Sequence, residues 1–372
     1  MDSEGGATRL FDGSFLLAGP ETTVVADGVR AVVAETDPDE LATRVTKDLV
    51  DSGVPVAVGA LPFDGDAAPH VLVPQSVRCT GTVHPYRSPV EPWRPSPPTV
   101  TEVPTGDGYR RAVAAAVSAM RADEGLRKVV LARTLELTYA ERIRLDALLP
   151  GLVETNPSGY TFATPLPGGA TLFGASPELL LSRRGSRVES NPLAGSRPRG
   201  ADDAADRAAG AELLASAKDL AEHRVVVAAV VEGLRPFCRS LTVPSGPSLV
   251  GTPTMWHLST KVTGELVDLD VSALRLAAAL HPTPAVCGTP RPLARTVIGE
   301  LEPFSRGFYG GAVGWCSASG DGEWVVGIRC GEVLGSRMRL YSGAGIMPES
   351  DPTAELDETS AKFATLLRVL GL

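Results

Sequence analysis

The chain has 372 residues, 43% of them hydrophobic and 21% charged, the composition of a folded protein with a core large enough for one big domain or two ordinary ones. A formal net charge of −9 argues against nucleic acid or an anionic membrane surface as partner, while a locally positive site could still take an anion. Five cysteines, at 79, 238, 287, 316 and 330, are scattered without a CxxC pair, so reduced thiols are expected rather than a disulfide frame or structural zinc.

The opening MDSEGGATRL lacks the basic and apolar regions of a secretory leader, and no apolar run reaches the roughly 18 residues of a membrane span, so the expected location is the cytoplasm. Up to about residue 80, short apolar runs at Ser14 to Leu17, Val56 to Leu61 and His70 to Val73 read as strands around one helix, Asp39 to Ser52. Residues 85–104 carry seven prolines, which forbid a helix or central strand, and composition alone would cut a domain there. An alanine-rich helix, Tyr109 to Arg121, leads into a strand, Lys128 to Tyr139, whose alternation puts Lys128 on the face of Val130, Ala132 and Thr134. A lysine flanking a strand is ordinary; a buried one gives up its proton more readily and can serve as a base near neutrality.

In residues 171–200 an apolar run, Thr171 to Ala175, is interrupted by Ser176 and Pro177, and Glu178 then stands directly before Leu179, Leu180 and Leu181. The ordinary reading is an exposed glutamate; the alternative is an acid at the mouth of a hydrophobic strand. Asn191 to Gly195 leads into SRPRG, where small residues let backbone N–H groups approach an anion and two arginines add charge.

A long helix is expected over Ala204 to Arg235, with Asp219 and Glu222 three apart and so on one face, near apolar Val226 and Val230. Strands follow at Leu249 to Val250, Trp256 to Thr263, Ala312 to Cys316, Glu323 to Cys330 and Arg337 to Ser342, and a helix from Ser272 to Leu280 stops at the HPTP turn. His257 shares a strand face with Ser259 and Lys261. Arg329 ends its strand beside Gly327, placed for a carboxylate or equally for solvent. A glycine turn, Gly343-Ala344-Gly345, precedes a last helix opening at Asp351-Pro352 and running to about Leu370. That helix carries a second acidic pair, Glu355 and Glu358, although Glu358 also has Lys362 four residues on, a common surface arrangement. Two acidic pairs brought together would make an all-oxygen site suited to Mg²⁺. Strands and helices mix without regular βαβ alternation, which reads as α+β with large sheets.

FGASPELLL, NPLAGSRPRG, KDLAEH, TPTMWHL, HPTPAVCG, ELEPFSRGFYGGAVGW, WVVGIRC and SGAGIMPESDPTAELDET together resemble the chorismate-utilising enzymes, the family of the anthranilate, aminodeoxychorismate and salicylate synthases. The likeness covers most of residues 105–372 and overrides the compositional cut. It implies an α+β fold of one large domain over residues 1–372, a two-sheet β-sandwich flanked by helices, with 1–104 the less similar N-terminal part and 105–372 the catalytic core. Carried over, Glu222 and Glu358 resemble direct Mg²⁺ ligands, with Asp219 and Glu355 acting through waters. Arg329, the backbone of Gly343 and Gly345, and Lys362 resemble holders of substrate carboxylates, while Gly195, Ser196, His257 and Tyr309 line the pocket. Lys128 resembles the base that activates water for addition at C2, and Glu178 the acid that protonates the departing C4 hydroxyl. Ala194 stands where a covalent route would place a lysine, and Ala285 where the pyruvate-eliminating branches carry threonine. The implied reaction is Mg²⁺-dependent isomerisation of chorismate to isochorismate by a monomer without an amidotransferase subunit, feeding siderophore or menaquinone biosynthesis. The alternatives are a salicylate- or anthranilate-forming lyase and a non-catalytic binder of chorismate-like dicarboxylates.

Overall fold

The computed structural model describes residues 14–64, 67–81, 93–122 and 125–372. Seventeen strands join one antiparallel, hydrogen-bonded network and three make a small second sheet. The large sheet is a single ribbon. From the edge strand Thr99–Val103 it runs through Lys128–Thr138, Arg337–Ile346, Cys330–Leu334, Thr171–Ser176, Tyr160–Pro165 and Phe15–Ala18 to the long strand Thr23–Val33. It continues through His70–Thr80, Val56–Leu61, Ala312–Ser317, Gly322–Val326, Leu179–Arg184, Arg187–Asn191 and Val262–Leu266 to Cys238–Thr242. The ribbon folds back on itself. Phe15, Leu17, Phe162 and Tyr341 from its first half share one core with Val58, Val313 and Val325 from its second, so its halves pack as the two layers of the expected sandwich.

Helices cover the outer faces. Pro38–Ser52, Ala217–Leu234 and Ala273–Leu280 bury Leu41, Val45, Leu49, Val230 and Leu276 against Val71, Leu181 and Trp324. On the other side Gly106–Ala122 and Arg291–Leu301 pack Tyr109, Val113 and Ile298 onto Val129, Leu131 and Ile346. Pro352–Leu370 and Leu145–Thr155 set Phe363, Leu366 and Leu152 against Leu137 and Leu340. The final helix begins as expected: the Asp351 side chain accepts from the N–H groups of Thr353 and Ala354 and proline follows it. The small sheet pairs Leu193–Pro198 with Met255–Ser259, and that with Ser248–Gly251. All five cysteines are free thiols, and no helix among the described residues is long and apolar enough to cross a membrane.

The structure corrects four expectations. The helix expected over 204–235 is two, Asp203–Ala215 and Ala217–Leu234, because Ser216 is extended (ψ 113°) and its hydroxyl caps the second by accepting from Asp219 N–H. The strand expected over 256–263 is also two, Met255–Ser259 and Val262–Leu266, which belong to different sheets. Gly322–Val326 and Cys330–Leu334 are likewise separate strands, so Arg329 sits in the turn between them with φ 49° instead of ending a strand. Gly343 and Gly345 form no turn; they lie inside the strand Arg337–Ile346, opposite Ala132 and Val130. The proline-rich segment, expected to hold no helix or central strand, contributes the edge strand Thr99–Val103, while its residues 85–92 lie outside the described residues.

Candidate active site

A cavity opens where both sheets, the turn carrying Arg329 and two helix N-terminal halves converge. Glu178, Gly195, Ser196, Glu222, His257, Ala285, Tyr309, Arg329, Gly343, Gly345, Glu358 and Lys362 all line it, as does Ala194. The other three candidates do not line it. Lys128 and Asp219 stand behind the wall residues Glu222 and Gly195, a Cβ on Gly195 lying 3.0 Å from that of Asp219, and Glu355 pairs with Lys218, which is itself outside the wall.

Lys128 is fully buried, its Nζ 2.8 Å from Glu222 Oε1. The contact is out of line for a hydrogen bond, so the Lys128 N–H groups have no aligned acceptor among the described residues. Gly345 makes this arrangement possible: a Cβ there would lie 2.2 Å from Glu222 Oε1 and 3.0 Å from Lys128 Cε. The glycine is thus required by a close approach inside a strand.

Glu178 is 2% exposed. Its Oε1 accepts a long bond, 3.4 Å, from Leu193 N–H, and its own N–H donates to Ser176 Oγ across the Ser-Pro turn. Burial pushes the carboxyl up to about 8, against the Leu193 N–H and the charges of Lys128 and Lys362. At neutral pH this group holds a proton, as a general acid must.

The four acidic candidates gather on facing turns of Ala217–Leu234 and Pro352–Leu370. Three are answered by lysines: Lys128 on Glu222, Lys218 on Glu355 at 2.7 Å, and Lys362 on Glu358 at 2.6 Å. Burial raises the Asp219 carboxyl; the Ser216 hydroxyl opposes this, and the charges of Glu222 and Glu358 add to it. Burial followed by repulsion from Glu358 likewise raises Glu355. Glu358 itself is held down, because Lys362 and the Ser196 hydroxyl outweigh its desolvation. Among the described residues no three His, Cys, Asp or Glu side chains form a metal-ready cluster. The donor chemistry nevertheless fits a hard divalent cation: oxygen only, two carboxylates facing the cavity, and mutual repulsion that such an ion would relieve.

Beside the acidic set the wall is cationic. Burial lowers the Arg329 guanidinium to about 10, with Glu358 opposing, and its Nη2 lies 3.2 Å from His257 Nε2. Burial, then Arg329 and Lys362, hold His257 far below its usual range, so the ring is neutral and accepts from Arg329. Lys362 Nζ donates to Gly343 O at 2.9 Å. Tyr309 stacks on Tyr341 at 4.8 Å between centroids, and a Cβ on Gly343 would lie 2.7 Å from the Tyr309 hydroxyl.

Sequence reading had passed over Tyr341 and Ser342 in the wall, Lys218 in the acidic set, and His223. The His223 ring bridges Ala194 O and Thr260 Oγ1 at 3.1 and 2.7 Å, fastening the Leu193–Pro198 strand to its surroundings. Both Lys218 and His223 lie in KDLAEH, where their spacing from Asp219 and Glu222 was the available signal.

The sequence model of the family described as chorismate binding enzyme matches residues 82–371. The isochorismate synthase DhbC of Bacillus subtilis is 48% identical over 97% of this chain and 94% of its own length. The isochorismate synthase EntC of Escherichia coli K12 is 44% identical over 86% and 82%. A solved structure of the menaquinone-specific isochorismate synthase MenF from Escherichia coli superposes with a TM-score of 0.85, at 25% identity, covering 98% of this chain and 90% of that one.

Proposed function

The chain belongs to the chorismate-binding enzymes, and on that premise we propose that it converts chorismate to isochorismate. The observation that carries the chemistry is a buried glutamate, Glu178, in the cavity wall and a buried lysine, Lys128, behind it on Glu222, with burial favouring the protonated form of the glutamate. Arg329 and Lys362 hold substrate carboxylates on the cationic wall, beside Gly343, Gly345, Ser196 and Tyr309. Lys128 acts in its neutral form, taking a proton from the water that adds at C2. The ring double bonds shift, the C4–O bond breaks, and Glu178 gives its proton to the departing oxygen, so that water is consumed and released and the net reaction is an isomerisation. Neutral His257 keeps Arg329 aimed at the cavity.

Mg²⁺ is the proposed cofactor, held by Glu222 and Glu358 with Asp219 and Glu355 in outer positions, where it would supply positive charge for the ring carboxylate. Ala194 offers no nucleophile for a covalent adduct, and Ala285 no hydroxyl to assist pyruvate elimination. We read residues 1–372 as one catalytic unit, a cytoplasmic monomer without an amidotransferase subunit. Relatives of both siderophore and menaquinone type match the chain, so its product suits either destination.

Product separation after incubation with chorismate and Mg²⁺, with and without ammonium, tests the reading. Isochorismate in both arms is expected; salicylate or anthranilate overturns the isomerase assignment, and chorismate binding without product establishes a non-catalytic binder. Gly345→Ala should lower kcat/KM by about 10- to 100-fold in steady-state kinetics, the scale expected for an ångström-sized displacement of the Glu222–Lys128 contact.

A further inference from the structure

The strand that begins with Lys128 is incompletely paired along one edge. On that side Gly288 and Thr289 pair with Val129 and Lys128, and Thr99–Val103 pairs with Thr134–Thr138. Between these two short partners, positions 130–133 have no strand beside them. A central strand with orphaned backbone groups would be costly, so something must satisfy them.

Two side chains from the segment after the helix Arg291–Leu301 fill the gap. Glu302 Oε1 accepts from Ala132 N–H at 2.7 Å, and Arg306 Nη2 donates to Val130 O at 2.8 Å. The two are joined to each other, Nε to Oε2 at 2.8 Å and Nη2 to Oε1 at 2.5 Å, and both are buried. Arg306 Nη1 also donates to Val286 O at 2.7 Å, and its guanidinium lies 4.4 Å from the Phe63 ring centroid and 5.6 Å from that of Tyr309. The pair thus spans three parts of the cavity wall: Val130, Val286 beside Ala285, and Tyr309.

We infer that Glu302 and Arg306 act as a side-chain substitute for a missing strand and are the positioning residues that set Lys128 against the Ala285–Val286 wall. Only a planar fork with several fixed N–H directions can serve both carbonyls and the carboxylate at once, which is why a lysine cannot replace Arg306. Neither residue touches the reacting atoms, so their effect is on where the base stands and not on how the substrate carboxylates are held. The inference rests on the reading of Lys128 as base.

Arg306→Lys and Glu302→Gln test it, compared with the parent enzyme and with Lys128→Ala. Glu302→Gln keeps an acceptor for Ala132 N–H and so preserves the strand while removing the charge that orients Arg306. The expected result is a kcat lowered at least about tenfold with KM changed less than about threefold, in both variants, at Mg²⁺ and chorismate affinities near the parent's. Should Arg306→Lys not fold, Glu302→Gln decides. Arg306→Ala supplies a second readout: guanidinium ion in the assay should recover part of kcat, whereas ammonium at equal concentration should not. A kcat within twofold of the parent in a folded variant, or a loss that falls on KM alone, overturns the inference. If the parent itself forms no isochorismate, or Lys128→Ala retains full activity, the functional reading has failed, and the two failures are told apart.

Discussion

Lys128→Ala should lose about 10²- to 10⁴-fold in kcat, the range supplied by a positioned general base. The same change removes the counter-charge from Glu222, whose side chain is only 11% exposed. Breaking one half of a buried ion pair costs about 3–5 kcal/mol, so the metal-free variant should melt below the parent. Mg²⁺, proposed to bind Glu222, should restore most of that loss and should bind at least as tightly as to the parent. Thermal melts with and without Mg²⁺, beside single-turnover kinetics, check both halves. Retention of full activity would remove Lys128 from the role of base.

Glu178→Gln should be about as damaging, again on the order of 10²- to 10⁴-fold, because the amide fills the same space but cannot deliver a proton. The pH profile carries a sharper signature. The Glu178 carboxyl titrates near 8, so the proton-bearing form dominates below that value and the rate should decline as pH rises through it. The residual rate of Glu178→Gln should lack this limb. The sign for stability follows from the same shift: between about 4.5 and 8 the native state keeps a proton that the unfolded chain has lost, so this group makes the fold less stable as pH rises across that window.

Features of the fold governed by neighbours in sequence were legible, and those set by distant partners were not. The last helix could be placed from Asp351 and Pro352 alone because capping is a local event, and Val56–Leu61 could be placed because a short, unbroken apolar run has few other uses. Gly343 and Gly345 misled because glycine usually marks a turn. Here it is demanded by Glu222 and Tyr309, which arrive from elsewhere in the chain. Arg329 misled for a related reason, since its left-handed φ is held by the strands on either side of it. The acidic residues were legible as pairs three apart. Their lysine partners, apart from Lys362, were not, because Lys218 and Lys128 reach across elements. Glu302 and Arg306 lay in a quoted stretch, ELEPFSRGFYGGAVGW, but a salt bridge at i, i+4 outside a helix gives no pattern from which its backbone partners could be read.

The ribbon's strand order has a consequence for how the protein is made. Val56–Leu61 is buried along its whole length and pairs with His70–Thr80 on one side, yet its other neighbour is Ala312–Ser317. Phe15–Ala18 similarly pairs with Tyr160–Pro165. On a ribosome the early strands are therefore finished long before the strands that cover them, on the order of tens of seconds at ordinary elongation rates. Throughout that interval an apolar strand edge stands open to other nascent chains, and closing it requires a contact of very high sequence separation. Yield in the cell should accordingly depend on chaperone supply and translation speed more than on the equilibrium stability of the finished enzyme.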